Sequence, residues 1–407
     1  MRLILLLLLG GTLQLSAQIN IGLVAHYPFD TSYVDVTGTT ANTGDPQGGP
    51  NFVCGVAGNA LNLDGVDDQV VFVGPVNNEF DTEDFTVSFY FRSNGVDGIQ
   101  YLLSKRSPDC AVQNQFYVRY VPATKTVNCF LGEDEDNAIS LVQKVNENVC
   151  WHHLALVRKG IKVLLYLDGE FDQELGSSFR LDILNAGNLI VGGSNCQSQN
   201  ETNFDGYIDD LRIYNRALDM EEVEELYFAP DQIASRDTLI YLGNGVDIQL
   251  TPTCATNFSW TSAQDELFAS DIGEPTITPT EAGEFFYEVE LSDNQTSCVS
   301  TDMIRINVID PNDLDCSIAF VPKAFTPNGD GLNDTYGISN PFAIQELISF
   351  EIFDRWGGLV FATDDPFQKW DGTFEGQEVN PGVLLYKLNY VCNGEEKLLS
   401  GSFTILR

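Results

Sequence analysis

The hydrophobic and polar positions of this chain follow a short-strand pattern along most of its length. Runs of β-branched and aromatic residues, such as 85–91 and 161–167, alternate with Gly, Asn, Asp and Pro. At 207–214 apolar and polar residues alternate, which fits a sandwich strand with one buried and one wet face. Short strands separated by turn residues are typical of sandwiches and barrels. The pattern therefore predicts an all-β fold.

One segment, 219–227, has the period of a helix instead. Its apolar residues recur every three or four positions, and acidic residues fill its first turn, where the helix dipole favours them. Ala229 and Pro230 end the segment, and we place the first domain boundary there. After an N-terminal segment, the sequence then divides into three parts: 18–228, 229–311 and 312–407.

The N-terminal segment, 1–17, has the features of a secretory signal peptide. Arg2 supplies the positive charge, an apolar run follows over 3–9, and Ser16 and Ala17 end it with small residues. The run is too short to span a bilayer, and no other stretch approaches twenty apolar residues. The sequence therefore predicts export and no transmembrane anchor.

The charge is strongly negative, with 59 acidic against 21 basic residues and a net charge of −38. Each of the three parts is acidic, so none offers the basic surface that phosphate backbones require. This excludes nucleic acid and anionic membrane surfaces as favoured partners. An acidic surface can bind calcium, although solubility outside the cell is its commoner meaning.

Nine cysteines accompany the signal peptide, which makes disulfides the expected state. No C-x-x-C pair or spaced zinc cluster occurs. Since nine is odd, at least one thiol should be unpaired. The pairing within the first part stays open among Cys54, Cys110, Cys129, Cys150 and Cys196.

The first part carries five ordered motifs, at 22–30, 58–65, 151–158, 165–169 and 204–218. Together they resemble the laminin-G-like, concanavalin A-type jelly roll of bacterial surface proteins. The resemblance implies two antiparallel sheets packed face to face, with the first and last strands adjacent.

The second part combines short strands with the order Cys254, Trp260, Cys298. This order suggests an immunoglobulin-like sandwich with a disulfide between Cys254 and Cys298. The segment is similar to the PKD-type spacer domains of bacterial surface proteins.

The third part has motifs at 325–334, 350–357, 370–373, 381–386 and 403–407. These resemble the gliding-motility-associated C-terminal domain, a sorting module of type IX secretion in Bacteroidetes-type bacteria. The resemblance implies passage through the outer membrane by that machinery, followed by surface attachment or release. The motif residues are Phe325, Pro327, Asn328, Gly329, Asp330, Gly331, Asn333, Asp334, Arg355, Trp356, Gly357, Trp370, Asp371 and Gly372.

Cys316 and Cys392 are the only cysteines of the third part and are a candidate pair. Short β-rich runs and turn glycines indicate a small sandwich here as well. The complete prediction is an all-β chain: a concanavalin A-like jelly-roll sandwich followed by two small immunoglobulin-like β-sandwich domains.

Candidate catalytic residues are few. Glucanases of the concanavalin A-type fold carry glutamates and an aspartate on alternate residues of one strand, and no such Glu-x-Asp-x-Glu strand occurs. The acidic run 133–136 lies beside Gly132 and Asn137 and indicates a loop. His152 and His153 are adjacent, so in a strand they point to opposite faces. The sequence favours a protein without enzymatic activity.

A structural calcium ion is a candidate cofactor. The jelly-roll resemblance implies a site between the first and last strands, with Asp209 and Asp30 as oxygen ligands. Solvated loop aspartates are the alternative. A second candidate loop contains oxygen ligands separated by glycine, although a turn held by Asx hydrogen bonds is favoured there. Its residues are Asn328, Asp330, Asn333 and Asp334.

Sugar binding would require aromatic residues on a concave face. Tyr117 and Tyr120, near Phe116, lie on an expected strand, where core packing is favoured for most of them. We expect a secreted surface protein whose jelly roll binds an extracellular glycan or protein. The alternatives are a divergent glycoside-active enzyme of the same fold and a structural surface protein without a specific ligand.

Overall fold

The structure is a computed structural model of the chain. It describes residues 19–265, 268–294, 298–310, 313, 321–328, 333–344, 346–392 and 394–406. The expected signal peptide and four residues of the 325–334 motif, 329–332, lie outside this range. No helix among the described residues is long and apolar enough to cross a membrane.

The first part contains sixteen strands among the described residues. They are β1 (Leu23–Tyr27), β2 (Asp45–Gln47), β3 (Asn51–Cys54), β4 (Asn59–Asp64), β5 (Gln69–Phe72), β6 (Phe85–Ser93), β7 (Ile99–Lys105), β8 (Gln115–Val121), β9 (Thr126–Gly132), β10 (Ala138–Lys144), β11 (His152–Lys159), β12 (Lys162–Leu167), β13 (Glu170–Gly176), β14 (Leu189–Val191), β15 (Glu201–Asn203) and β16 (Asp205–Tyr214). Two short 3₁₀ helices occur at Thr40–Asn42 and Pro75–Glu79.

These strands form two eight-stranded sheets. Sheet A has the order β13-β12-β11-β6-β16-β4-β3, with β1 also paired to β16. Sheet B has the order β10-β9-β8-β7-β14-β5-β2, with β15 parallel to β7. Because β1 pairs antiparallel with β16, placing Tyr27 opposite Leu211, the first and last strands are adjacent. The jelly-roll prediction is confirmed.

The core of the jelly roll lies between the two sheets. Alternate residues of each strand point inward, so Phe89 of sheet A and Leu103 of sheet B are fully buried in one cluster. Burial of an aromatic or aliphatic side chain of this size contributes about 1.5–3 kcal/mol. The opposite faces of both sheets are left for other contacts.

The expected helix is α1, Met220–Leu226. Asp219 begins it as the N-cap, because its carboxylate accepts the Glu222 N–H at 3.0 Å while Glu222 accepts the Asp219 N–H at 3.0 Å. Arg216 pairs with Glu222 at 2.6 Å. Val223 is buried against the outer face of sheet A. The helix closes the end of the jelly roll next to its last strand.

The second part contains β17 (Thr238–Tyr241), β18 (Val246–Asp247), β19 (Asn257–Thr261), β20 (Ala269–Ser270), β21 (Thr276–Ile277), β22 (Gly283–Ser292) and β23 (Val299–Ile309). Five of them form a sheet in the order β17-β23-β22-β19-β20, and β18 pairs with β21. Trp260, Tyr287 and Ile306 are buried in its core. The PKD-type resemblance of this part stays a prediction.

The third part contains β24 (Ala324–Phe325), β25 (Glu346–Phe353), β26 (Leu359–Thr363), β27 (Thr373–Phe374), β28 (Gln377–Glu378), β29 (Gly382–Cys392) and β30 (Glu395–Ile405), with a 3₁₀ helix at Pro341–Ala343. The main sheet has the order β24-β30-β29-β25-β26. All three parts are therefore built from strands, as the sequence predicted.

The disulfides of the second part differ from the prediction. Cys254 bonds to Cys54, and Cys298 bonds to Cys150, so the expected pair between Cys254 and Cys298 is wrong. Neither cysteine lies inside a strand, because Cys254 precedes β19 and Cys298 precedes β23. Both therefore lie at one end of the sheet, where the end of β3 and the loop before β11 reach them. Two covalent bonds join the first and second parts.

The remaining cysteines behave in three ways. Cys110 and Cys196 form a disulfide within the jelly roll. Cys129 is a buried unpaired thiol, which confirms the expectation from the odd count. Cys392 is disulfide-bonded, and its partner lies outside the described residues, as does Cys316.

Non-covalent contacts also cross between the jelly roll and the second part. Arg92 of β6 and Asp293 form an ion pair of 2.7 Å, with side-chain exposures of 5% and 11%. The Thr301 N–H donates to the carbonyl oxygen of Asn148 at 3.2 Å. Removing one partner of a buried ion pair lowers the stability of the folded protein by several kcal/mol, because the other charge is left unpaired. The two parts are thus in direct, partly buried contact.

Candidate ligand-binding site

The outer face of sheet B carries a polar and aromatic cavity. Alternation along β8 sends Phe116, Val118 and Tyr120 into the core, so Gln115, Tyr117 and Arg119 point to the other side. The cavity is about 320 Å³ in volume. Its lining residues are Tyr101, Arg106, Cys110, Gln115, Tyr117, Arg119, Cys196, Gln197, Ser198 and Glu201.

Arg119 is the central residue of this cavity. Its guanidinium carbon lies 4.3 Å from the ring centre of Tyr117 and 5.7 Å from that of Tyr101. Nη1 pairs with Glu201 at 2.5 Å, and Nη2 donates to Asn128 at 3.0 Å. Planar stacking and forked hydrogen bonding together fix the guanidinium in one orientation.

Glu201 is held as a carboxylate by its neighbours. Burial acts to raise its pKa, but hydrogen bonds from Ser198 and Tyr101 and the charge of Arg119 outweigh burial, so the pKa is lowered. The Ser198 N–H donates to Glu201 at 2.9 Å. Burial, followed by the charge of Glu201, raises the pKa of Tyr101 to about 12. The cavity therefore has fixed charges near neutral pH.

Aromatic stacking shapes the adjoining surface. The rings of Tyr117 and Phe130 are nearly parallel, with centres 4.8 Å apart and an interplanar angle of 7°. The ring of Tyr101 meets Tyr117 edge-on at 5.8 Å. Such pairs are rigid and apolar on their faces, so the cavity has a preformed aromatic wall.

A disulfide closes one side of the cavity. The Cys110–Cys196 bond ties the loop after β7 to the loop before β15. Nη1 of Arg106, in the first loop, donates to the carbonyl oxygen of Cys196 at 2.6 Å and to the Tyr101 hydroxyl at 3.2 Å. The bond thus helps to hold Arg106 and Glu201 at the same cavity, although Arg106 lies in a loop and Glu201 begins β15.

Sequence reasoning identified Tyr117 here but not its neighbours. Tyr120 and Phe116 point into the core, as was favoured for most of these aromatics. The alternation of β8 could have placed Arg119 beside Tyr117. No local pattern indicates Arg106 or Glu201, because the Cys110–Cys196 bond and the pairing of β15 with β7 bring them to the site.

The candidate calcium residue Asp209 is fully buried at a bulge in β16. Its Oδ2 accepts the N–H groups of Val56 and Ala57 at 2.8 and 3.3 Å, and its Oδ1 accepts that of Asp210 at 2.7 Å. Burial raises its pKa to about 8 despite these hydrogen bonds. The next residue, Asp210, pairs with His26 of β1 at 2.6 Å. The bulge thus directs two acidic side chains to different partners.

Asp30 and Asp209 contact opposite ends of the turn at 55–59, since Asp209 accepts the N–H groups of Val56 and Ala57 and Asp30 accepts that of Asn59. The Asn59 N–H donates to Oδ1 of Asp30 at 3.0 Å. The two carboxylates therefore flank the turn at 55–59, and a calcium ion bound by both stays a prediction. Among the described residues, three acidic side chains at another place have carboxylate oxygens within 4.8 Å of one another: Asp64, Asp67 and Asp68.

The second candidate calcium loop is described in part. The Asn328 N–H donates to Oδ1 of Asp334 at 2.9 Å, and the Thr326 N–H donates to the carbonyl oxygen of Asn333 at 2.9 Å. These are the side-chain and backbone bonds of an ordered turn. Asp330 lies outside the described residues. Calcium binding here also stays a prediction.

The other candidate chemical groups have structural surroundings. Residues 133–136 form the bend between β9 and β10, where Asp134 accepts the Asn137 N–H at 2.8 Å. His153 is buried against Ser88, its Nε2 lying 2.8 Å from the Ser88 hydroxyl oxygen. His152 points the other way, toward Asp168 at 3.4 Å. The adjacent histidines do not share a site.

Several sorting-motif residues form the core of the third part. Phe325 packs against Trp370, with ring centres 5.6 Å apart. Gly372 has a φ of +82°, and a Cβ there would lie 3.1–3.3 Å from side-chain atoms of Pro327, Phe325 and Ile405. Glycine is therefore required both by the backbone conformation and by the close approach of these side chains. Asp371 accepts the Thr373 N–H at 2.9 Å.

The remaining described motif residues lie at the turn between β25 and β26. Asp354 accepts the N–H groups of Trp356 and Gly358, both at 2.8 Å, and Gly357 has a φ of +83°. Arg355 lies 5.5 Å from the Trp356 ring, which is 84% exposed. The motif thus combines buried residues with one exposed aromatic turn.

Comparison with known families agrees with these two domains. Residues 64–224 match Laminin_G_3, described as the concanavalin A-like lectin/glucanases superfamily. Residues 319–405 match CHU_C, described as a type IX secretion signal domain. The chain therefore carries a concanavalin A-like domain and a type IX secretion signal domain. The type IX secretion signal domain implies export by that machinery to the cell surface or the extracellular space.

Solved structures to which part of the chain is similar include domain 4 of AbnA, a GH43 extracellular arabinanase from Geobacillus stearothermophilus, in complex with arabinotriose. It shares 21% identity over 51% of this chain and 98% of its own, with a TM-score of 0.40. The CBM40 of the Ruminococcus gnavus IT-sialidase shares 18% sequence identity over 42% of this chain and 96% of its own, with a TM-score of 0.36. The receptor binding domain of botulinum neurotoxin D shares 14% sequence identity over 68% of this chain and 74% of its own, with a TM-score of 0.41. No curated protein matches the chain in sequence.

Proposed function

We propose that this chain is a secreted binding protein whose jelly roll takes a saccharide in the outer cavity of sheet B. The observation that carries the proposal is the grouping of Tyr101, Tyr117 and Arg119 around a cavity of about 320 Å³. The two rings are largely buried and hold the Arg119 guanidinium in place, and the converging donors and acceptors of the cavity suit the hydroxyl groups of a sugar.

The rigidity of the cavity supports a binding role. Arg119 is fixed by two rings and two hydrogen-bond partners, and the Cys110–Cys196 bond holds the loop beside it. A preformed site avoids the entropy of ordering side chains when the ligand binds. A weakly interacting, flexible ligand such as an oligosaccharide depends on this saving.

The acidic residues of the cavity favour binding over hydrolysis. Glu201 is the only acidic side chain among the described residues that line it, and Arg119 holds its carboxylate. Glycoside hydrolysis uses two carboxyl groups, one of them protonated at the start of the reaction. A single carboxylate with a lowered pKa does not meet that requirement.

A glycan array probed with the secreted full-length protein tests the proposal. We expect binding to a subset of saccharides and its loss in Tyr117→Ala. Val142→Ala, which removes an exposed side chain of sheet B outside the cavity, is the matched control. Binding that survives Tyr117→Ala, or no binding to any saccharide, would contradict the proposal. Release of reducing sugar would favour an enzyme.

A further inference from the structure

Arg106 is the cationic residue of the cavity that has no acidic partner. Arg119 is paired with Glu201. For Arg106 the hydrogen bonds found in the described part of the chain run from Nη1 to the Cys196 carbonyl oxygen and the Tyr101 hydroxyl. No carboxylate among the described residues pairs with Arg106. Its Nη2 makes no hydrogen bond to a described residue, so the N–H groups of Nη2 can donate to a ligand.

The charge of the cavity differs from that of the protein around it. Its charged lining residues are Arg106, Arg119 and Glu201, which leave one net positive charge. The region 18–228 has 12 basic and 31 acidic residues, so positive charge is scarce in this part of the chain. A local excess of positive charge inside an acidic domain selects ligands by charge.

Gln115 adds an unpaired acceptor to the same cavity. Its side chain is 8% exposed, and its Nε2 donates to the Val112 carbonyl oxygen at 2.8 Å. Its buried Oε1 accepts no hydrogen bond from any described residue. A buried acceptor without a partner is unfavourable, so a ligand hydroxyl that reaches Oε1 offsets this cost.

We propose that the cavity binds an acidic saccharide, with Arg106 contacting its anionic group. The inference rests on the proposed saccharide-binding function and specifies its ligand class. The anionic group is a singly charged carboxylate or sulfate ester, because one such group neutralises the single excess charge. Arg119 stays paired with Glu201 and positions the aromatic wall, while Gln115 accepts a hydroxyl of the same sugar.

Calorimetric titration of the secreted full-length protein tests this assignment. The probes are oligosaccharides that contain uronic acid, sialic acid or a sulfate ester, each compared with its carboxyl-reduced or desulfated form. We expect one acidic probe to bind at least about tenfold more tightly than its neutral form, which corresponds to about 1.4 kcal/mol. High salt should weaken the binding of the acidic probe more than the binding of the neutral probe.

Variants separate the role of Arg106 in binding from its role in structure. Arg106→Gln should abolish the preference for the acidic probe and leave weak binding of the neutral form. Arg106→Lys should retain part of the preference. Arg180→Gln, which removes a partly exposed positive charge outside the cavity, should change neither. Thermal unfolding checks that each variant is folded. If Arg106→Gln does not fold, the comparison of acidic and neutral probes on the wild-type protein still tests the ligand class.

The outcomes distinguish the two proposals. Equal affinity for acidic and neutral probes, unchanged in Arg106→Gln but lost in Tyr117→Ala, would overturn the acidic ligand and keep saccharide binding. Preference for an acidic probe that persists in Arg106→Gln would overturn the assignment of Arg106. No binding of any saccharide would overturn the proposed function itself.

Discussion

Asp209 and Val56 are 153 positions apart in the chain, and Oδ2 of Asp209 accepts the Val56 N–H at 2.8 Å. Val56 lies two residues after Cys54, which bonds across to Cys254 in the second part. The last strand of the jelly roll therefore holds the turn from which an interdomain disulfide departs. A buried acidic residue at this place serves the contact between the two parts as well as the sandwich.

The two interdomain disulfides predict how the protein responds to cleavage. We introduce a protease site between Arg236 and Asp237, both exposed in the connection between α1 and β17. The cleaved fragments should stay together in non-reducing gels, because Cys54–Cys254 and Cys150–Cys298 bridge the cut. They should separate after reduction. Separation without reductant would show that these pairs do not form.

The pH dependence of stability should include a contribution from His153. Burial lowers its pKa from 6.5 to about 4, so the folded protein keeps it neutral where the unfolded chain takes up a proton. The stabilisation is present above pH 6.5 and is lost as the pH falls toward 4. The full difference is on the order of 3 kcal/mol.

Denaturant unfolding at several pH values checks this contribution. His153→Gln should flatten the loss of stability between pH 6.5 and 4, whatever its stability at neutral pH. Glu221→Ala, on the exposed face of α1, should keep the wild-type slope. An unchanged slope in His153→Gln would assign the pH dependence to other groups.

Calcium should raise the melting temperature of the jelly roll if Asp30 and Asp209 ligate it. A site with calcium at about one hundred times its Kd adds roughly 2.7 kcal/mol of stability. Asp209→Ala should lower the melting temperature by itself, because three N–H groups lose their acceptor. The test is therefore the difference between calcium and chelator, which should vanish in Asp209→Ala and persist in Glu221→Ala. Equal melting temperatures of the wild type in both conditions would count against the ion.

Export should depend on the folded core of the third part. Gly372→Val places a side chain at positive φ and against Phe325, Pro327 and Ile405. The backbone strain alone costs about 1–2 kcal/mol. We expect this variant to accumulate in the periplasm, as should a chain lacking residues 318–407, the segment over which the sorting-domain resemblance extends. Trp356→Ala truncates an exposed turn residue and should remain folded. Surface display of Gly372→Val at the wild-type level would refute the dependence of export on the folded core.

Local patterns predicted the strands and the helix because side-chain periodicity and capping act over a few residues. The alternation at 207–214 corresponds to the interior strand β16, and Asp219 caps α1. Disulfide partners are not local. Cys254 and Cys298 flank Trp260 in sequence order, yet both cysteines lie at one end of their sheet, where the jelly roll supplies the partners. The residues of the ligand cavity are similarly dispersed in sequence, since Arg106 lies in the loop after β7 and Glu201 in β15, and only the fold brings them together.

The bond between Cys150 and Cys298 also determines how the molecule would carry mechanical load. Cys298 immediately precedes β23, whose other end leads toward the C-terminal domain, and Cys150 lies two residues before β11 in the middle of sheet A. If the chain is pulled from its C-terminal end while the jelly roll holds a ligand, tension runs along β23 and crosses directly into sheet A. The connection after α1 is bypassed, and the residues between the two cysteines cannot extend. The first two domains would then transmit force as a short covalent tether, and reduction of that bond would release stored length.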